Sequence, residues 1–98
     1  MKKSSNNEDW KYVPLEDTEN YYYCEDIDVA ACLIAKRYTL VDISPINEIK
    51  ATFIFQTHLT LSDTIKGFWD NTIEVHPLEF ANARKNLKSR IYTMNKHY

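Results

Sequence analysis

Apolar and polar residues change their spacing several times along this 98-residue chain, and each change marks an element. Residues 20–24, NYYYC, are short, aromatic and suited to a strand. Ile27, Ala30, Ala31 and Ile34 then fall at i, i+3, i+4 and i+7. That is the buried stripe of a helix capped by Asp26 and ending near Lys36 and Arg37, with acids and bases placed to suit the helix dipole. Residues 38–43 turn β-branched and aromatic, and residues 44–48 offer a turn through Pro45 and Asn47. Ile49, Ala51, Phe53 and Phe55 next alternate with Lys50, Thr52, Ile54 and Gln56. One face is apolar and the other mixed, so the two segments read as a hairpin.

Thr60 or Ser62 can cap a second helix in which Leu61, Ile65, Phe68 and Trp69 share a face. Asp70 and Asn71 turn the chain into a brief fourth strand over residues 72–75. Pro77 at a first-turn position, followed by Glu79, announces a third helix reaching about Met94. Its apolar stripe is Phe80, Ala83, Leu87, Ile91 and Met94.

The predicted order is therefore β-α-β-β-α-β-α. It describes an α+β fold with a four-stranded antiparallel sheet and a C-terminal helix, arranged as a ferredoxin-like split βαβ sandwich or as a plainer meander. Residues 1–19 lack any period and read as a mobile polar leader; residues 20–98 form the single domain. Within the leader, Trp10, Tyr12, Val13 and Leu15 form an apolar cluster suited to docking on the domain or on a partner.

Composition narrows the chemistry. The chain holds one glycine, Gly67, where phosphate-cradling loops need two or three at fixed offsets. P-loop and dinucleotide-fingerprint chemistry are thereby excluded. A glycine in a helix interior costs about 1 kcal/mol relative to alanine, so Gly67 permits close packing or marks a helix end. No run of 18 apolar residues exists, and the polar residues after Lys2 and Lys3 do not resemble a secretion signal. The expected compartment is the cytoplasm, where Cys24 and Cys32 are small buried thiols.

Candidate catalytic groups have structural readings. Cys24, Cys32, His58 and His76 match no common zinc spacing. Glu25, Asp26 and Asp28 disfavour a Cys24 thiolate, and the two aspartates occupy a helix cap and first turn. The expectation is a chain without metal, cofactor or catalytic residues.

Charge is the more informative signal. Residues 1–35 carry three bases against eight acids, whereas residues 71–98 carry five bases against two acids. On the last helix, Arg84, Lys88, Tyr92 and Asn95 lie within a band roughly 80° wide, which Lys85 and Lys96 extend to roughly 120°. Cations can neutralise phosphates and a tyrosine ring can stack on a base. A solvated helix face is the plain alternative. Tyr21, Tyr23, Lys50 and Thr52 could add a sheet platform of the RNA-recognition kind, although the glycine-bearing signature of that module is absent.

The segments YYYCEDIDVAACLIAKRYTL, KATFIF and IKGFWDNTIEVHPLEFANARKNLKSRIY, taken in order, resemble a small bacterial and phage family, the domain of unknown function numbered 5659. The likeness covers about residues 20–92, and its closing features fall on Trp69, Asn71, Val75, Pro77, Leu87, Lys88, Ile91 and Tyr92. Lys36, Arg37 and Tyr38 depart from it, standing where a glycine would commonly end the first helix. The resemblance carries no catalytic residues. It implies a small accessory protein of phage or mobile-element character that acts by binding.

The expected function is a non-enzymatic binding domain whose C-terminal helix contacts nucleic acid, RNA or single-stranded DNA, or a nucleoprotein complex, through Arg84, Lys85, Lys88, Tyr92 and Lys96. The alternative is a protein-binding modulator, such as a phage-encoded, anti-CRISPR-like inhibitor of a host defence enzyme. It would use the acidic half or Trp10, Tyr12 and Leu15.

Overall fold

A computed structural model of the chain describes residues 20–95. They form β1 (Tyr21–Cys24), α1 (Ile27–Ala35), β2 (Leu40–Pro45), β3 (Ala51–Gln56), α2 (Leu61–Asp70) and α3 (Pro77–Asn95). The sheet order is β1-β3-β2, with β3 antiparallel to both neighbours. β1 and β2 are thus parallel to each other, α1 is the crossover between them, and β3 is inserted in the gap: a split βαβ unit.

The fold class is α+β with an antiparallel sheet, but the described residues make three strands rather than four. Residues 72–75 join no sheet. The Thr72 and Ile73 amides donate instead to Gly67 O at 2.9 and 3.3 Å, and Lys36 Nζ donates to Glu74 O at 3.1 Å. The backbone that would pair as a strand closes the end of α2, so the described residues do not make the full four-stranded ferredoxin-like sandwich.

α1 lies at the centre. Val29, Ala30, Ala31, Cys32 and Leu33 are all buried, five in succession, where the sequence stripe predicts burial on one side. The helix packs on the sheet and between α2 and α3, so its flanks are covered too. Ala30 and Ala31 let the neighbouring elements approach closely; Phe53 and Phe55 on β3 and Leu33 and Leu87 on the helices fill the remaining space. Burying each such large side chain contributes about 1.5–3 kcal/mol.

One irregularity makes β2 fit this core. Leu40 pairs with Phe55 and Ile43 with Phe53, both on the helix side of the sheet, although strict alternation would put Asp42, not Ile43, beside Leu40. A register shift between Leu40 and Asp42 inserts Val41 as an extra residue, 49% exposed, and turns Ile43 inward. Asp42 Oδ1 accepts the Ile43 amide at 2.8 Å. The hairpin turn is closed by Asn47, whose Oδ1 accepts the amides of Ile49 and Lys50 at 2.9 Å each. Ile49, expected on the apolar face of the strand, therefore sits in the turn and is 82% exposed.

Both short helices end without glycine. Arg37 at φ 77° and Asn71 at φ 63° adopt the left-handed conformation. At each end the next residue donates back along the helix, Tyr38 N to Leu33 O at 3.0 Å and Thr72 N to Gly67 O at 2.9 Å. The left-handed residue itself donates to Ile34 O at 2.9 Å or Phe68 O at 3.2 Å, which completes a Schellman closure. Asparagine tolerates this backbone; arginine tolerates it less well. Gly67 is inside α2, and a Cβ added there would sit 3.4 Å from Ile73 Cβ and Thr72 Oγ1, so it marks where the chain folds back on the helix. Trp69, expected beside Phe68 in the core, is 63% exposed with its ring edge-on to Phe68.

Two outcomes are expected in urea unfolding. Arg37→Gly raises the unfolding free energy by up to about 1 kcal/mol despite loss of an exposed ion pair, while Arg37→Val lowers it by about 1–2 kcal/mol. Asp42→Ala costs about 1 kcal/mol by removing the acceptor at the bulge, whereas Asp42→Asn keeps an acceptor and most of the stability.

Candidate nucleic-acid interface

α3 begins at a proline, whose fixed φ and missing N–H suit a first turn, and runs for 19 residues. Ala83, Leu87 and Ile91 are buried, and Phe80 and Met94 are partly buried against the same core. This stripe fixes the rotation of the helix, and so decides which residues face outward.

The predicted band is on the helix, but its members differ. Lys85 and Lys88 are exposed and hold no ion pair with the described residues. Tyr92 is 62% exposed. Arg84 is half-exposed at the rim, and its Nε donates to Asp28 Oδ1 at 2.5 Å. Asn95, at the same rim, donates from Nδ2 to Asn47 O and to Ile91 O, both at 3.0 Å, and so joins the helix to the β2–β3 turn. Lys96 lies outside the described residues, as do Trp10, Tyr12 and Leu15.

Arg84 meets the acidic start of α1. Asp26 Oδ1 accepts the amides of Asp28 at 2.8 Å and Val29 at 3.1 Å, as expected of the cap. Asp28, in the first turn, is left to face Arg84. Beside this acidic turn, a cavity of about 300 Å3 is bordered by Glu25, Asp26, Asp28, Ile49, Lys50 and Ile91. The negative field at this rim opposes a phosphate near Arg84 and leaves Lys85 and Lys88 as the accessible described cations of the predicted band. The pair itself is half-exposed on both sides and contributes on the order of 0–1 kcal/mol. At the other end of α1, Arg37 pairs with Glu79 at 3.3 Å, so both ends of α1 are tied by charge to α3.

The sheet platform fares differently. Tyr21, Tyr23 and Thr52 are half-buried, and Lys50 lies in the turn rather than on the strand.

Both cysteines are buried free thiols. Burial pushes the Cys24 thiol up, and the nearby Asp26 and Glu25 charges add to this, while hydrogen bonding to the Asp26 and Ala30 backbone partly offsets it. Its Sγ donates to Asp26 O at 3.2 Å. Burial likewise raises Cys32, partly offset by Lys36. The Tyr22 hydroxyl is raised by burial first and then by Cys24 and Asp26.

Sequence reasoning missed a polar cluster on the far flank of α1. The Tyr38 hydroxyl lies 2.6 Å from Thr60 Oγ1 and 2.7 Å from Thr64 Oγ1, and His58 Nδ1 accepts the Thr60 amide at 3.2 Å. Tyr38 and the threonines are separated by 22 and 26 residues, and no local pattern joins them. The nearest signal was the presence of threonines at the start of a helix. Thr60 does flank α2 there, but its hydroxyl serves Tyr38 rather than capping the helix.

The split βαβ core and the basic outer helix are those of a small α+β domain. The model of the family "Domain of unknown function (DUF5659)" matches residues 19–93, and the chain belongs to that family. No curated protein and no solved structure matches it. No helix of the described residues is long and apolar enough to cross a membrane.

The thiol environments set an alkaline limit. The unfolded chain loses these protons at ordinary values, whereas the folded chain holds them longer. The associated stability is whole below the ordinary thiol pKa of roughly 8.5 and is lost as pH rises through the higher folded values. Thermal melts between pH 7 and 11 should therefore show a falling Tm above roughly pH 8.5. A Cys24→Ala, Cys32→Ala variant should show a shallower fall, retaining the part of the Tyr22 contribution that comes from burial and Asp26.

Proposed function

We propose that this chain is a non-enzymatic accessory domain of the cytoplasm that contacts single-stranded RNA or DNA, or a nucleoprotein complex, through the outward face of α3. The observation that carries the reading is the pairing of exposed Lys85 and Lys88, neither neutralised by a described carboxylate, with an exposed aromatic ring, Tyr92, on one rigid helix. The lysines supply counterion release along a phosphate backbone, and the ring supplies a stacking surface that tolerates any base. Arg84 takes part as a positioning group: its pair with Asp28 holds α3 against the first turn of α1. Buried reduced thiols accord with the cytoplasm.

Fluorescence anisotropy with a labelled single-stranded oligonucleotide tests this. Two to four neutralised phosphates give a log–log salt slope of roughly −1.4 to −2.8. Lys85→Glu with Lys88→Glu should weaken binding at least about tenfold with an unchanged melting temperature, and Tyr92→Ala should weaken it by about 1–3 kcal/mol per stacked base. Arg84 is left in place in these variants, because a glutamate there would face Asp28. No binding at low salt would sink the proposal. A protein partner lost on removal of residues 1–16, with the fold intact, would then favour the protein-binding modulator.

A further inference from the structure

α2 flanks α1 on the side away from α3, and its first turns face the start of β1. Between them is a cavity of about 370 Å3, bordered by Tyr21, Tyr22, His58, Leu61, Ser62 and Ile65. This volume falls within the range of small-ligand sites, and the mixture of apolar walls with a few polar groups is the composition such sites use. None of the described residues that border it is charged. An ion would find no counter-charge there.

The polar groups narrow the occupant further. His58 Nδ1 accepts the Thr60 amide at 3.2 Å and lies 3.1 Å from Thr60 Oγ1. Thr60 is in turn held by Tyr38, whose ring meets the imidazole edge-on at 6.0 Å between centroids. With Nδ1 accepting, the neutral ring carries its proton on Nε2, so the group His58 has left to offer is a donor. No described residue accepts from Nε2. Ser62 adds a hydroxyl that can donate or accept. Two tyrosines, a leucine, an isoleucine and Thr57 supply the rest of the wall, which favours a flat, uncharged body.

We propose that this cavity binds an uncharged planar heteroaromatic ring of nucleobase size, with the ring's acceptor edge taken by His58 and its faces against the apolar wall. The site is independent of the α3 face and lies across α1 from it. The same chemistry is offered by a free nucleoside-like molecule and by an unstacked base of a single strand.

Titration of the 15N-labelled full chain with adenosine and uridine, followed by amide chemical shifts, tests the site. Saturable shifts centred on His58, Leu61 and Ile65 are expected, with a dissociation constant in the millimolar range for so small a ligand. Benzoate, an anion of similar flatness, should produce none. His58→Phe keeps a ring but removes the donor and should weaken nucleoside binding about tenfold. Ile65→Trp fills the cavity and should abolish binding. If His58→Phe disturbs the spectrum of the free protein, Ile65→Trp decides the matter. The Lys85→Glu, Lys88→Glu variant should bind nucleosides unchanged, which separates failure of this site from failure of the α3 face. An oligonucleotide that shifts the same amides identifies a strand as the source, and one that leaves them still identifies a free small molecule; both support the site. Absence of saturable shifts with either nucleoside, or unchanged affinity in a folded His58→Phe, overturns it.

Discussion

The packing of α1 against the middle of the sheet is the contact on which the other elements depend. Five successive buried residues in a nine-residue helix can be satisfied only if something covers each side. β3, through Phe53 and Phe55, covers the face below; α3, through Leu87 and Ile91, covers one flank, and α2, through Leu61, contributes to the other. The alanines in the centre of α1 set how closely these neighbours approach. A split βαβ unit alone would leave both flanks of its helix in water, so α2 and α3 complete the core rather than decorate it.

Charge then fixes the ends of the same helix. Asp28 at the start meets Arg84 of α3, and Arg37 at the end meets Glu79 in the first turn of α3. Each pair is solvent-exposed and individually weak. Their joint effect is on register: α3 has its acid near one end and Arg84 towards the middle, α1 has the opposite arrangement, and the two helices match in one direction. The sign asymmetry between the two halves of the sequence is partly used in this way. What is left over on α3, Lys85, Lys88 and Arg90, is the surplus that stays exposed.

Much of this was legible locally. Asp26 capping α1, Pro77 opening α3, the alternation of β3 and the stripe of Ala83, Leu87 and Ile91 follow from hydrogen-bonding chemistry and from the periods of helix and strand. Positions that depended on a partner far along the chain were not. Residues 72–75 have the composition of a strand, but the amides of Thr72 and Ile73 are taken by Gly67 O, five and six residues back, which strand propensity does not weigh. Val41, Ile49 and Trp69 are apolar yet exposed because a bulge, an asparagine turn and the rotation of α2 turned them out. At the basic face, the sequence identified the band but not that Arg84 would be engaged by Asp28, 56 residues away.

By itself, the sequence determined the class of the fold, the positions of three helices and three strands, the absence of glycine-rich phosphate loops, and the helix on which cations gather. These are properties of short windows, where backbone geometry and side-chain chemistry act within a few residues. The tertiary structure decided which strands pair, that the fourth segment closes a helix instead of widening the sheet, which cations remain accessible, and that Tyr38, Thr60 and His58 meet beside a cavity. Those outcomes depend on contacts between residues tens of positions apart, and no local period encodes them.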